Sequence, residues 1–458
     1  MAAALHPKLL AGLRAGFAGE IIAPGDGEYD EARTVFNAMI DRHPQVIAQC
    51  ANPADVRAAI AFGREQGLEI AVRAGGHAVS GASVNDGLVV DLRRMNSVVV
   101  DPEAGTARVA GGAVMSDLDR AAQPYGLGTT GGRDSSTGVA GLTLGGGSGW
   151  LERKFGLACD NLLRVELVTA DGEQLTADED RHPELFWALH GGGGNFGVAT
   201  ELTFELHAVP QVTVAMLLWP PEAAPAVLRH YVDFIATAPD EVGGGFVYLT
   251  GPPEEFCPPE LVGRLAAAVL LTHTGPEPEA RAVFGPMLGY GHTGGMVAEL
   301  PYADFQCMLD DPPGERNYWS AEYLDGFPDP AVELFCARSA DLITPSPSMQ
   351  AVFPMGGAVS RKVSDHPVPW RAAPWAVHPY GCWTEPADDA RGRQWARDNC
   401  ADLKPWSIGA VYLNFIGDEG EERVAAGLGT GNARRLAAVK SAYDPENVFH
   451  LNHNIIPA

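Results

Sequence analysis

The sequence predicts an α+β protein of two or three domains. Three observations carry that prediction. Residues 53–92 alternate helix and strand signals around a glycine-rich loop. Residues 128–149 concentrate glycine, serine and threonine yet keep apolar residues among them. Near residues 207–212 the texture changes to longer strands alternating with helices, richer in proline and tryptophan. A length of 458 residues accommodates two or three domains at roughly 150 residues each.

Taken in order, residues 53–67 read as a helix, with Pro53 and Asp55 in its first turn and Gly67 at its end. The apolar runs Leu68–Val72 and Gly87–Leu92 read as strands, which places Arg73–Gly81 in a tight turn between them. Glycines there let another molecule approach the backbone closely. His77 sits among them. Alone, the turn admits two readings: a hairpin with an incidental histidine, or a loop that touches a phosphate or flavin.

Residues 97–101 and 107–112 read as paired strands, and 114–125 as a helix. The composition of 128–149 suits a linker. Val139, Leu142 and Leu144 argue instead for packed, irregular backbone, whose amides and threonine hydroxyls suit a pyrophosphate. Strands follow at 162–170 and 198–206, with a short helix at 184–190 between them. Beyond 210, strands at 212–219, 265–272, 375–383 and 408–416 and helices at 223–236 and 433–443 point to a sheet with helices on one side.

Several classes are excluded. The net charge of −26 repels phosphate backbones and anionic membranes, so neither nucleic acid nor a membrane is an expected partner. The apolar stretch Leu9–Ala18 is interrupted by Arg14 and reads as an amphipathic helix. The 7 cysteines include no CxxC pair, and the 13 histidines no HExxH. A zinc site and a disulfide scaffold are therefore not expected, and a reducing cytoplasm is the expected location. Gly192–Gly197 matches G-x-G-x-x-G, but it follows a helix and opens a strand, the reverse of a Rossmann fingerprint. There is no G-x-S-x-G elbow and no P-loop.

Five motifs then occur in order: Arg-Ala-Gly-Gly-His (73–77), Thr-Gly-Val-Ala-Gly-Leu-Thr-Leu-Gly-Gly-Gly-Ser-Gly-Trp-Leu (137–151), Lys-Phe-Gly-Leu-Ala-Cys-Asp-Asn (154–161), Glu-Leu-Phe-Trp-Ala-Leu-His-Gly-Gly-Gly-Gly-Asn-Phe-Gly-Val (184–198), and Tyr-Asp-Pro-Glu-Asn-Val-Phe with Asn-His-Asn-Ile (443–455). Together they resemble the berberine-bridge-enzyme-like oxidases of the vanillyl-alcohol-oxidase / p-cresol-methylhydroxylase flavoprotein group. The resemblance implies a two-subdomain FAD-binding domain of the p-cresol-methylhydroxylase type in residues 1–210 (core 41–208), and a substrate domain with a large antiparallel sheet in 211–430. Residues 431–458 would return to the FAD domain.

It implies FAD held by Arg73, Ala74, Gly75, Gly76, His77, Ser80, Gly81, Thr137, Gly138, Gly141, Gly145, Gly146, Cys159, Asn161, Gly197, Val198, Asn452 and Asn454. The flavin would be bicovalent, through His77 at the 8α-methyl and Cys159 at C6. No metal is expected. Where family members carry Tyr-x-Asn-Tyr, this chain has Tyr412-Leu413-Asn414-Phe415. Tyr412 is the expected base, its pKa lowered by its neighbours, with Asn414 on the same strand face. His378 and Tyr380 are further candidates for substrate contact. The implied reaction passes a substrate hydride to flavin N5 and electrons to O2, giving H2O2. The substrate would be a sugar, an alcohol or a secondary metabolite. Two other readings share the fold: a dehydrogenase slow with oxygen, and a redox-inert flavin-binding protein.

Overall fold

The computed structural model describes residues 5–361 and 366–458. A four-stranded sheet comes first, in the spatial order Glu20–Ile22, Val46–Gln49, Leu88–Asp91, Ile70–Arg73. The helix Pro53–Glu65 packs on it, its first turn capped by the Asn52 side chain accepting from the Ala54 and Asp55 amides. Leu88–Asp91 is buried along its whole length, as a central parallel strand should be.

This sheet corrects one expectation. Ile70–Arg73 and Leu88–Asp91 are neighbours but run parallel, so residues 74–87 are not a tight hairpin turn. Parallel neighbours need a crossover, and here it is a loop that leaves the end of one strand and returns to the start of the next. Two short apolar runs read alike in either orientation, which is why the sequence did not distinguish them.

The second sheet is antiparallel and five-stranded: Val98–Asp101, Thr106–Ala110, Val198–Glu205, Leu162–Val168, Gln174–Ala177. Most of 128–149 is buried beside it, with a short helix at Val139–Leu144. That stretch is therefore packed backbone and not a linker.

The third sheet has eight antiparallel strands. One face packs on helices including Ala224–Thr237, Glu277–Leu288 and Asp329–Arg338, through residues such as Leu217, Val269, Val352 and Val377. Alternate residues (Met216, Leu270, Ala351, His378) therefore point to the opposite face, which turns toward the glycine-rich loops. The tail returns to the N-terminal half. Buried Lys440 donates to the Asn195 and Phe449 carbonyls, at 2.7 and 2.8 Å, and pairs with Asp444 at 2.5 Å. The Ile455 amide donates to Asn195 Oδ1 at 3.0 Å.

Residues 408–416 are not a strand. They form an irregular segment with one 3-10 turn at Leu413–Phe415. Their apolar character reflects burial: Val411, Tyr412 and Leu413 all lie in the core. Among the described residues, no helix is long and apolar enough to cross a membrane.

Candidate active site

A cavity of about 490 Å³ lies between the glycine-rich loops and the free face of the large sheet. The loop wall is mostly backbone. It includes Ala74, Gly75, Gly76, His77 and Ser80, then Thr137, Gly138, Gly141 and Gly145, then Gly191–Gly194 and Gly197, and finally Asn452. Contact or backbone conformation requires glycine at several of these positions. A Cβ on Gly75 would stand 2.4 Å from the Gly138 amide nitrogen and 2.7 Å from the Ser136 carbonyl oxygen. Gly76 has φ +74°, which side chains avoid. The sheet wall is side chains: Met216, Leu270, Met349, Phe353, His378 and Tyr380, with Trp319 and Phe415 beside them.

His77 stands on the loop wall, its ring stacked on Phe36 with centroids 3.8 Å apart. Its Nε2 lies 2.8 Å from Ser136 Oγ and 3.3 Å from Asp134 Oδ1. Burial pushes the Asp134 carboxyl up, but the His77 ring and the Ser136 hydroxyl outweigh it and hold the group well below the usual carboxylate range. Beside it, Asp311 donates its backbone N–H to Asp134 Oδ2 at 3.0 Å. Burial pushes the Asp311 carboxyl up to about 6, against the pull of the Tyr380 hydroxyl. That hydroxyl also lies 3.1 Å from Asn317 Oδ1.

His378 is stacked on Phe415 at 4.1 Å, and its Nδ1 is 2.8 Å from the Ser320 carbonyl. A carbonyl accepts, so Nδ1 carries the proton and Nε2 presents a lone pair. Burial drops this ring's pKa to about 3, so it is neutral near pH 7. Asn414 donates from Nδ2 to the Leu142 carbonyl at 3.0 Å and to Tyr412 Oη at 2.8 Å. Arg133 spans Ser148 Oγ, at 3.0 Å, and Glu152, at 2.8 Å, and lies over the Phe353 ring at 4.1 Å.

Several expected site residues lie off the wall. Tyr412 is fully buried, and its hydroxyl accepts the amides of Gly147 and Ser148 at 3.0 and 3.3 Å. Burial raises its pKa despite those donors, opposite to the expected lowering. Cys159 is also fully buried, behind Gly146, whose carbonyl accepts the Cys159 amide at 2.9 Å. No cysteine lines the cavity among the described residues.

Arg73 is buried against Asp91 at 2.7 Å and anchors the loop rather than facing the cavity. Gly81 abuts Ile40, and Gly146 abuts Trp370. Asn161 Nδ2 donates to the Leu157 carbonyl at 2.8 Å, and its Oδ1 meets His207 at 2.7 Å. Val198 pairs with Val168 inside a strand. Asn454 falls between His453, which reaches the wall, and Ile455, which enters the core.

Four further residues of the cavity, Arg133, Asp134, Asp311 and Phe353, belong to none of the sequence-predicted site positions. One signal was there: Arg133 and Asp134 are the only charged residues between 128 and 149.

Glycine-rich backbone on one side of the cavity and a sheet on the other suit an extended cofactor. Comparison with known proteins says which cofactor. A family model described as an FAD binding domain matches residues 44–178, and one described as berberine and berberine like matches residues 411–456. An FAD-linked oxidoreductase of Bacillus subtilis, YgaK, is 30% identical over 450 residues, spanning 96% of this chain and 97% of the relative. The (R)-6-hydroxynicotine oxidase of Paenarthrobacter nicotinovorans is 30% identical over 461 residues, spanning 96% and 97%. The crystal structure of 6-hydroxy-D-nicotine oxidase from Arthrobacter nicotinovorans superposes with a TM-score of 0.85 at 29% identity, over 96% of this chain and 98% of that one. This chain belongs to the berberine-bridge-enzyme-like family of FAD-linked oxidoreductases. Its residues fit FAD: closely apposed glycine backbone for the pyrophosphate, and a histidine on the wall beside it.

Proposed function

We propose that this chain is an FAD-dependent oxidase, attached to its flavin through His77 alone, that oxidises a flat aromatic alcohol or amine and passes electrons to dioxygen. The observation that carries the reading is the opposition of two walls: glycine backbone with His77 on one, aromatic side chains on the other. A solved glucooligosaccharide oxidase of the same fold, 22% identical with a TM-score of 0.85, is described with a 6-S-cysteinyl, 8α-N1-histidyl FAD. Here a histidine lines the cavity and no cysteine does, among the described residues. That supports one link rather than two.

Bound there, FAD supplies acceptance of a hydride from a substrate C–H and its delivery as two electrons to O2, giving H2O2. The chain does the rest. Trp319, Tyr380, Phe353 and Phe415 offer ring faces and few hydrogen bonds. A sugar needs many directed polar partners, whereas a flat ring is held by stacking. The relative named for (R)-6-hydroxynicotine agrees with that class. Asp311 takes the O–H or N–H proton, because a carboxylate titrating near 6 is ionised at neutral pH and still basic. Neutral His378 offers its Nε2 as an acceptor that orients the substrate. By role, 1–210 and 431–458 hold the cofactor and 211–430 the substrate. The cytoplasm is the proposed location.

The test is direct. Purified protein is mixed with candidate aromatic alcohols and amines without oxygen, and the flavin absorbance is followed. Aeration is then coupled to peroxide detection. Bleaching followed by H2O2 supports the reading. Bleaching without peroxide makes it a dehydrogenase, and no bleaching by any candidate overturns it.

A further inference from the structure

We infer that Asp134 and Ser136 form a relay that arms His77 for its attachment to flavin. The inference rests on the proposed His77 linkage and adds how that bond is made. The relay is legible from proton counting. Ser136 Oγ lies 2.6 Å from Asp134 Oδ1 and 2.8 Å from His77 Nε2. The Asp134 carboxylate can only accept, so the single hydroxyl proton of Ser136 goes to it. Ser136 Oγ must then accept from His77, which puts the ring proton on Nε2 and leaves a lone pair on Nδ1. Among the described residues, the ring meets Ser136 and Asp134 through Nε2. The relay therefore selects the one tautomer whose nucleophilic nitrogen is Nδ1, and the Phe36 stack holds the ring plane.

The role reaches beyond holding a loop. Asp134 also accepts backbone amides of Ser136 and Asp311, at 2.8 and 3.0 Å, a task an asparagine oxygen would share. Only a carboxylate compensates the positive charge that grows on the ring as Nδ1 forms a bond. The step balances. Nδ1 bonds to the flavin 8α-carbon and one C–H of that methyl breaks. The methyl hydrogen and the Nε2 hydrogen leave as protons. The two electrons left on the flavin go to dioxygen, giving H2O2. Asp134 and Ser136 are positioning residues in this step, acting through His77.

Flavin-starved cells supply partly flavin-free protein, which is incubated with FAD. Acid-stable flavin is followed over time by in-gel fluorescence, and total bound FAD by filtration. Wild type should accumulate acid-stable flavin. Asp134→Asn should bind FAD as well but attach it roughly 10²-fold more slowly. Asp134→Glu should recover most of the rate, which a merely structural carboxamide contact would not require. Ser136→Ala should also be slow. If Asp134→Asn binds FAD and attaches it at the wild-type rate, the relay is wrong. If that variant binds no FAD, Ser136→Ala decides, and a wild-type rate there overturns the relay. If wild type binds FAD yet never holds it through acid, the linkage itself fails.

Discussion

On one side of the cavity the backbone makes the contacts; on the other, side chains from distant strands do. The glycine wall is contiguous in sequence at 74–80, 137–149 and 191–197, because a cofactor pressed against backbone needs runs of residues without side chains. The sheet wall draws single residues from Met216, Leu270, Met349, Phe353, His378 and Tyr380, each the alternate position of a strand whose other face is buried on helices. The first wall suits a ligand shared by many proteins. The second can change residue by residue without disturbing the first, and in the proposed reading substrate choice belongs there.

Variants separate the two walls. The largest effect is expected from His77→Ala: acid-stable flavin should fall to background while the fold persists, as read by fluorescence of the denatured protein. Asp311→Asn, at a residue that touches Asp134 of the loop side and Tyr380 of the sheet, should leave flavin attachment intact and slow substrate-driven bleaching about 10²–10⁴-fold. The wild-type bleaching rate should rise with pH through about 6, because the base works only when its proton is gone. The variant should lose that rise. A smaller effect is expected from Gly75→Ala. The added methyl meets the Gly138 and Ser136 backbone, and overpacking of this kind costs about 1–3 kcal/mol, visible as a lower Tm and weaker FAD retention. Cys159→Ala should change acid-stable flavin hardly at all. A large loss there would return the thiol to the cofactor.

The contrast also explains how much could be read in advance. The glycine wall was legible because close approach of backbone leaves a compositional mark, and His77 stood out against it. Long strands such as Val212–Trp219 and Trp375–Trp383 were legible from their length. Orientation was not: Ile70–Arg73 and Leu88–Asp91 pair in parallel, and nothing in two apolar runs says so. Position relative to the cavity was not legible either. Cys159 and Tyr412 lie in motif-like surroundings but just behind the wall, where the Gly147 amide donates to the Tyr412 hydroxyl and the Gly146 carbonyl accepts the Cys159 backbone amide. Asp311 was not legible because its raised pKa comes from burial, which no local motif records.

Peptide mass mapping of the native holoprotein tests the central claim most directly. Trypsin cuts after Arg73 and Arg93 and after Lys154 and Arg164, so His77 and Cys159 fall in different peptides. The flavin mass is expected on residues 74–93, with none on residues 155–164. Flavin on the second peptide, or on neither, would contradict it.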